Sequence, residues 1–537
     1  VQNNFEVERE WCSVGENNMD LNNIAKIEQA QYVNRRELVR LGSAAIFLVA
    51  IIIFVGTKMP GSILLISAAV IGGYMALNIG ANDVANNVGP AVGSQTLTLT
   101  GAIIIAAIFE SAGAIIAGGD VVGTIRKGII DPSAISDPQV FVWLMMAALL
   151  AGAVWLNLAT FLALPVSTTH SIVGGVLGAG VAAAGWDIAD WGKVGQIAAS
   201  WVISPVFGGI IAAGFLYTIK RTITYKCDKI AAARKVVPLL IGTMAWAFTT
   251  YLIMKGLKKL FKIDFIYALG IGFVIGVGVV FIVSPIIART SAELKNSKAS
   301  VNKLFVIPLI CAAALLSFAH GANDVANAVG PLAAIYDVIS HGAMAAKASI
   351  PLWVMVIGAL GISLGLALFG PKLIRTVGSE ITELDQARAF CIAMAAAITV
   401  IIASQLGLPV SSTHIAIGAI FGIGFLREAI KANYGKMIVE IKSHHAGADE
   451  AEVTAFLDKF EAASFEEKGH MLADLKKHKQ APTVTKKERK SLVKEYKKEL
   501  VQRSAALKII AAWVITVPLS GLLAALIYFT LRGMLLP

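Results

Sequence analysis

The chain is poor in charge for its size. Of its 537 residues only 15% are Asp, Glu, Lys or Arg, against 56% hydrophobic; soluble domains average about 25% charged. Mean hydropathy is +0.72. Cysteine is scarce too. Cys12, Cys227, Cys311 and Cys391 form no CxxC pair and no Cys–His spacing typical of zinc. No disulfide framework is expected, and Cys311 and Cys391, inside apolar runs, read as packing residues. Nothing in the sequence resembles the folded basic face that nucleic acid requires. The net charge of +11 fits Lys and Arg gathered in cytoplasmic loops instead. The first forty or so residues are polar, unlike a cleavable signal peptide. No organic cofactor is expected.

What the chain does have is long, nearly uncharged runs. They include Ile46 to Val55, Ser62 to Ile79, Val140 to Val166, Ile197 to Ile219, Val236 to Met254, Phe265 to Ile287, Val306 to His320, Ile350 to Gly370, Ala389 to Gly424 and Ile509 to Thr530. A membrane-spanning helix needs roughly 20 mostly apolar residues. The longest runs have room for a second, shorter element. Because the runs are continuous rather than alternating, a β-barrel is disfavoured. The fold class is an all-α polytopic membrane protein, multi-pass in the cell (inner or plasma) membrane.

Polar stretches divide the chain. Residues 1–40 read as a soluble arm, helical from about Asn22 to Arg40, and 41–60 as an extra apolar segment. A first transmembrane block covers 61–219, linkers and intervening helices 220–303, and a second block 304–426, completed by a last helix at 504–537. Between them, 427–503 reads as a soluble helical insert. Its apolar spacing at Val453, Phe456, Leu457 and Phe460, then Met471, Leu472 and Leu475, fits amphipathic helices. Thr485 with Glu488 makes a capping box. His444, His445, His470 and His478 lack ligand spacing and read as solvated.

Three motifs occur twice. GANDVANNVGP at Gly80–Pro90 returns as GANDVANAVGP at Gly321–Pro331. LPVSTTH at Leu164–His170 returns as LPVSSTH at Leu408–His414, and WVISPVFGG from Trp201 as WVITVPLSG from Trp513. The first two pairs are separated by nearly the same number of residues. The third pair is much further apart, which places the insert inside the second repeat rather than between the repeats.

An ionisable group at the bilayer centre costs at least about 2.5–3.5 kcal/mol, so Asp83 and Asp324 are functional candidates by default. With Asn82, Asn86, Asn323 and Asn327 they form a hard-oxygen set suited to Na⁺ or a proton. The Gly before and the Gly-Pro after each motif predict an interrupted helix with freed carbonyls. In the second motif Ser167, Thr168, Thr169, Ser411, Ser412 and Thr413 precede helices rich in small residues. Hydroxyls at a helix N-terminus cap it and can bind an anion. Paired broken or re-entrant elements of this kind mark transporter sites. His170 and His414 either titrate or make structural hydrogen bonds. No Lys or Arg lies in either motif, so an oxyanion would need its positive charge to arrive as Na⁺ or H⁺. That favours symport. Arg126, Lys127, Lys372 and Arg375 read as interfacial anchors. Glu110 also sits in an apolar run, and the matching run Ile350 to Gly370 has no carboxylate. A coupling or gating role for Glu110 and a structural hydrogen bond both remain open.

At these motifs the chain resembles the inorganic phosphate transporter (PiT) family, over most of its length from Ser62 apart from the insert. The resemblance implies two inverted repeats, with a site near the midplane built from both. It implies phosphate symport with Na⁺ or H⁺, and in some relatives sulfate transport. By the same resemblance Asp83 and Asp324 serve the coupling cation, with Na⁺ as a candidate ion. The six hydroxyl residues hold the oxyanion, and Glu110 matches a functionally important glutamate. The expected partners are inorganic phosphate, the coupling cation, the lipid bilayer and a second copy of the chain as a homodimer. The N-terminal arm and the position of the insert depart from the family pattern. A sulfate symporter is the nearest alternative. A membrane enzyme lacks a unique catalytic cluster, and a channel does not call for two matched halves with polar breaks.

Overall fold

In the computed structural model the described residues are 35, 37–119, 129–135, 137–255, 263–342, 350–379, 384–406, 410–443 and 503–535. They are almost entirely helical, and twelve of their helices are long and apolar enough to cross a membrane. Most of the N-terminal arm lies outside the described residues. So do Arg126, Lys127, the helices expected around Val453 to Leu475, the Thr485 cap and the four insert histidines.

In chain order the elements are α1 (Glu37–Lys58), α2 (Ile63–Asn82), α3 (Val84–Gly93), α4 (Leu99–Ala117), α5 (Pro138–Phe161), α6 (Thr168–Ala184) and α7 (Trp191–Ile219). Then come α8 (Lys229–Lys255), α9 (Phe265–Thr290), α10 (Lys298–Leu304), α11 (Val306–Asp324), α12 (Ala326–His341) and α13 (Leu352–Phe369). The chain continues through α14 (Pro371–Ser379), α15 (Gln386–Gln405), α16 (Ser412–Ser443) and α17 (Arg503–Leu535). Helices α5, α11 and α12 are largely buried, whereas α9 exposes Phe265, Ile266, Phe273, Val274, Phe281 and Ile282. Such a surface is at home in lipid rather than water.

The halves exchange partners. Helix α2 packs on α13, and its counterpart α11 packs on α4; α6 packs on α17, and its counterpart α16 packs on α7. Glycine makes the contacts possible. A Cβ on Gly80 would lie 1.8 Å from the Ile362 carbonyl oxygen, and one on Gly321 would lie 2.2 Å from that of Glu110. Likewise a Cβ on Gly178 would meet the Gly521 oxygen at 2.1 Å, and one on Gly422 the Gly209 oxygen at 2.2 Å. Backbone therefore touches backbone at matched positions of the two repeats, as small residues allow in membranes. Ser111 and Ser363, matched in the same way, meet Oγ to Oγ at 2.7 Å.

The break at ANDVAN is smaller than the flanking Gly and Pro predict. Asp83 separates α2 from α3 yet keeps helical angles, φ −77° and ψ −42°. The ladder tightens for one residue, and Asn86 N–H bonds to the Asp83 carbonyl at 3.0 Å. Pro90 and Pro331 lie inside α3 and α12. Having no N–H, each leaves the carbonyl four residues back, on Asn86 or Asn327, without its helical donor.

Candidate functional site

The first hydroxyl motif ends the turn between α5 and α6, and the second opens α16. Ser167 caps α6 by accepting from His170 N–H at 3.1 Å, and Ser411 accepts from His414 N–H at 3.1 Å at the start of α16. Capping turns the next hydroxyls inward, onto the ANDVAN segments. Thr168 Oγ1 donates to Asp83 Oδ2 at 2.5 Å, and Ser412 Oγ donates to Asp324 Oδ2 at 2.8 Å. These two contacts correspond under the repeat.

Other contacts cross between the halves. Thr413 donates to Asp83 Oδ1. Asn86 Nδ2 donates to Thr413 Oγ1 at 2.8 Å, and its counterpart Asn327 donates to Thr169 Oγ1 at 3.2 Å and Thr168 Oγ1 at 3.0 Å. Thr169 Oγ1 donates to the Val410 carbonyl at 3.2 Å. Asn82 fastens the first turn, donating to Leu164 O and Thr160 Oγ1 and accepting from Val166 N–H. Asn323 reaches Val410 O and Asp324 Oδ1. All twelve residues expected from the two motifs thus fall in one buried cluster. The ANDVAN and LPVS[ST]TH motifs form one interlocked cluster rather than two separate ones.

Glu110 joins the cluster through a residue that the sequence reading missed. His320 Nδ1 lies 2.7 Å from Glu110 Oε2, and His320 Nε2 lies 2.8 Å from Asp324 Oδ2. The second contact is close in distance but not aligned as a hydrogen bond. Asn87 Nδ2 donates to Glu110 Oε1 at 2.8 Å. His320 immediately precedes the second GANDVAN, where the first copy has Ile79. Ile362 meets Gly80 where Glu110 meets Gly321. The acid–imidazole–acid chain therefore exists on one side only. Reading one residue upstream of each copy exposes the difference.

His170 and His414 do not reach this network. Their rings meet edge to face, centroids 4.3 Å apart, backed by Trp201 at 3.8 Å and Trp513 at 3.7 Å. The third repeated motif supplies both tryptophans. Lys372 donates to the Phe161 carbonyl at 2.9 Å, at the end of α5. That placement suits an anchor complementing the helix dipole.

One ligand atom each from Asp83, His320 and Asp324 falls within 4.8 Å of the others. Two carboxylates that close repel by about 3 kcal/mol at an effective dielectric near 20. Asn86 Oδ1 and Asn323 Oδ1 are buried without a hydrogen-bond donor. Hard oxygens with surplus negative charge and unused acceptors fit a small hard cation.

The phosphate transporter family profile matches residues 79–524, spanning both motif pairs. This chain belongs to the phosphate transporter family. A protein of Helicobacter pylori strain J99, provisionally named a phosphate permease, is 51% identical over 526 residues, covering 96% of this chain and 99% of its own. A provisionally named phosphate permease of Pyrococcus abyssi is 42% identical over 363 residues, covering 68% of this chain and 89% of its own. Among solved structures, the one titled as the sodium-dependent phosphate transporter aligns with a TM-score of 0.71 at 30% identity, over 88% of this chain and all of that one. This phosphate transporter is a multi-pass protein of the cell membrane.

Proposed function

We propose that this phosphate transporter imports inorganic phosphate by symport with Na⁺, through alternating access of two inverted repeats. The observation that carries this is the direct bonding of the oxyanion-type hydroxyls to Asp83 and Asp324, in a cluster that holds no Lys or Arg among the described residues. A phosphate anion cannot approach two bare carboxylates. A cation between them neutralises their charge and competes for their oxygens. Thr168, Ser412 and Thr413 are then released as donors, and the N-termini of α6 and α16 add backbone N–H groups. Binding is thus ordered, cation before anion. The sodium dependence of the structural neighbour favours Na⁺ over H⁺.

Residues from both halves meet at this station, so rocking one half against the other exposes it to either side. The basic end of the bundle, which carries Lys226, Lys229, Arg234, Lys295 and Lys298, faces the cytoplasm.

The test is radiolabelled phosphate uptake into proteoliposomes under separately imposed Na⁺ and pH gradients. Uptake that follows the Na⁺ gradient, and is lost in Asp83→Asn and Asp324→Asn, is the expected result. Uptake driven by the pH gradient in the absence of Na⁺ would replace Na⁺ with H⁺. No uptake under either gradient would refute the proposal.

A further inference from the structure

Glu110 is gripped by two helices, and each begins or ends at one of the paired aspartates. On one side stands α3, which Asp83 opens. Asn87, one turn after Asp83, donates from Nδ2 to Glu110 Oε1 at 2.8 Å. On the other side stands α11, which ends at Asp324. Its His320 places Nδ1 2.7 Å from Glu110 Oε2 and Nε2 2.8 Å from Asp324 Oδ2. Asn87, Glu110 and His320 are all buried.

Under the repeat Asn87 corresponds to Ala328, Glu110 to Ile362 and His320 to Ile79. The mirrored place is therefore apolar at all three positions, and those residues are buried too. Asn87 is polar for the sake of one contact. Among the described residues its side chain makes a single hydrogen bond, to Glu110. Its Oδ1 is buried without a donor, a cost that alanine does not carry. Only the nitrogen end of an amide can face a carboxylate oxygen, which fixes its orientation.

Glutamate has several side-chain torsions to fix. The close approach of α11 to α4, where a Cβ on Gly321 would lie 2.2 Å from the Glu110 carbonyl oxygen, sets the Glu110 backbone alone. Asn87 takes one carboxylate oxygen and leaves the other turned to His320. The imidazole, held at Nδ1, then presents Nε2 to Asp324.

We propose that Asn87 is a positioning residue for cation binding at Asp324, acting through Glu110 and His320. The proposal rests on the reading of this cluster as a Na⁺-coupled site. It makes the two aspartates unequal. Asp83 receives the hydroxyls of Thr168 and Thr413. Asp324 receives one hydroxyl, from Ser412, and an imidazole steadied from the other repeat.

The test measures ²²Na⁺ binding to the purified full chain in neutral detergent, with melting temperature in Na⁺-free choline chloride alongside. Asn87→Ala installs the residue that the second repeat has at this register. It should raise the Na⁺ concentration at half-saturation by about five-fold or more, within the range over which contacting residues couple. Because Asn87 acts through Glu110, Asn87→Ala/Glu110→Gln should bind Na⁺ within about two-fold of Glu110→Gln alone. A purely structural role would lower the Na⁺-free melting temperature and leave half-saturation at the wild-type value. That result overturns the proposal, as do effects of the two substitutions that multiply. Should Asn87→Ala fail to fold, Asn87→Ser, with its shorter donor, should raise half-saturation about two-fold or more, and a wild-type value there overturns the proposal.

Asp324→Asn separates this role from the reading beneath it. If Asp324→Asn loses Na⁺ affinity while Asn87→Ala binds like wild type, the positioning role alone falls. If Asp324→Asn binds Na⁺ like wild type, the cation-site reading fails and the positioning role falls with it.

Discussion

Thr413, from the second repeat, gives its hydroxyl proton to Asp83, from the first. Asn86 holds the same hydroxyl from its other side. One threonine thus joins the halves at the candidate cation site. A hydrogen bond to a charged group is worth about 1.5–3 kcal/mol. Thr413→Val should lower phosphate uptake by about 10- to 100-fold, and Thr413→Ser should retain most of it. Initial rates in proteoliposomes across Na⁺ concentrations check this. Wild-type rates in Thr413→Val would remove the residue from the mechanism.

Glu110, His320 and Asp324 form one chain of contacts, so their effects should not add. His320→Ala and Glu110→Gln should each reduce uptake by about ten-fold or more, and the double variant should be little worse than the poorer single. Residues in one network couple by about 0.5–3 kcal/mol. A double-mutant cycle on uptake rates measures it. Additive losses would mean that the contacts at 2.7 and 2.8 Å carry no coupling.

Backbone contact between the halves makes certain glycines irreplaceable. Gly422→Ala drives a methyl into the Gly209 carbonyl, whereas Gly278→Ala meets nothing within 4 Å. Overpacking typically costs about 1–3 kcal/mol. Gly422→Ala should lower the melting temperature in detergent by several degrees, and Gly278→Ala should leave it unchanged. Equal melting temperatures would show that the helices move apart at little cost.

Burial alone would raise the Asp385 carboxyl, but Arg388 and Lys298 outweigh it and hold the group below its usual range. A carboxyl lowered on folding stabilises the protein above its unfolded value, about 3.9. That contribution is lost as pH falls through the lower folded value. Asp385→Asn should therefore melt earlier than wild type at pH 7, and the gap should close as pH drops below about 4. Thermal melts across pH in detergent provide the comparison; a constant gap would argue against the ion pairs.

Much of the site was legible because each repeated motif is short and local. GANDVAN and LPVS[ST]TH place their polar groups within a turn or two of one another, and a second copy rules out accident. Capping by Ser167 and Ser411 follows from residue type alone. His320 was hidden because it belongs to neither motif. Its meaning depends on Glu110, more than 200 residues away and across an interface between the halves. The pairing of Asp385 with Lys298 was hidden for the same reason, since the two residues lie far apart along the chain.

By itself the sequence determined the membrane class and the repeated motifs that carry the twelve candidate polar residues. Those follow from hydropathy, residue chemistry and spacing, which are local properties. Only the tertiary structure decided that the hydroxyls rest on the carboxylates rather than apart from them. It also decided that α6 and α16 each pack on a helix of the other half, and that one aspartate alone is linked to a histidine and a glutamate. Those facts depend on which backbones come close enough to touch. That is set by glycines such as Gly321 and Gly422, at contacts that no window along the sequence contains.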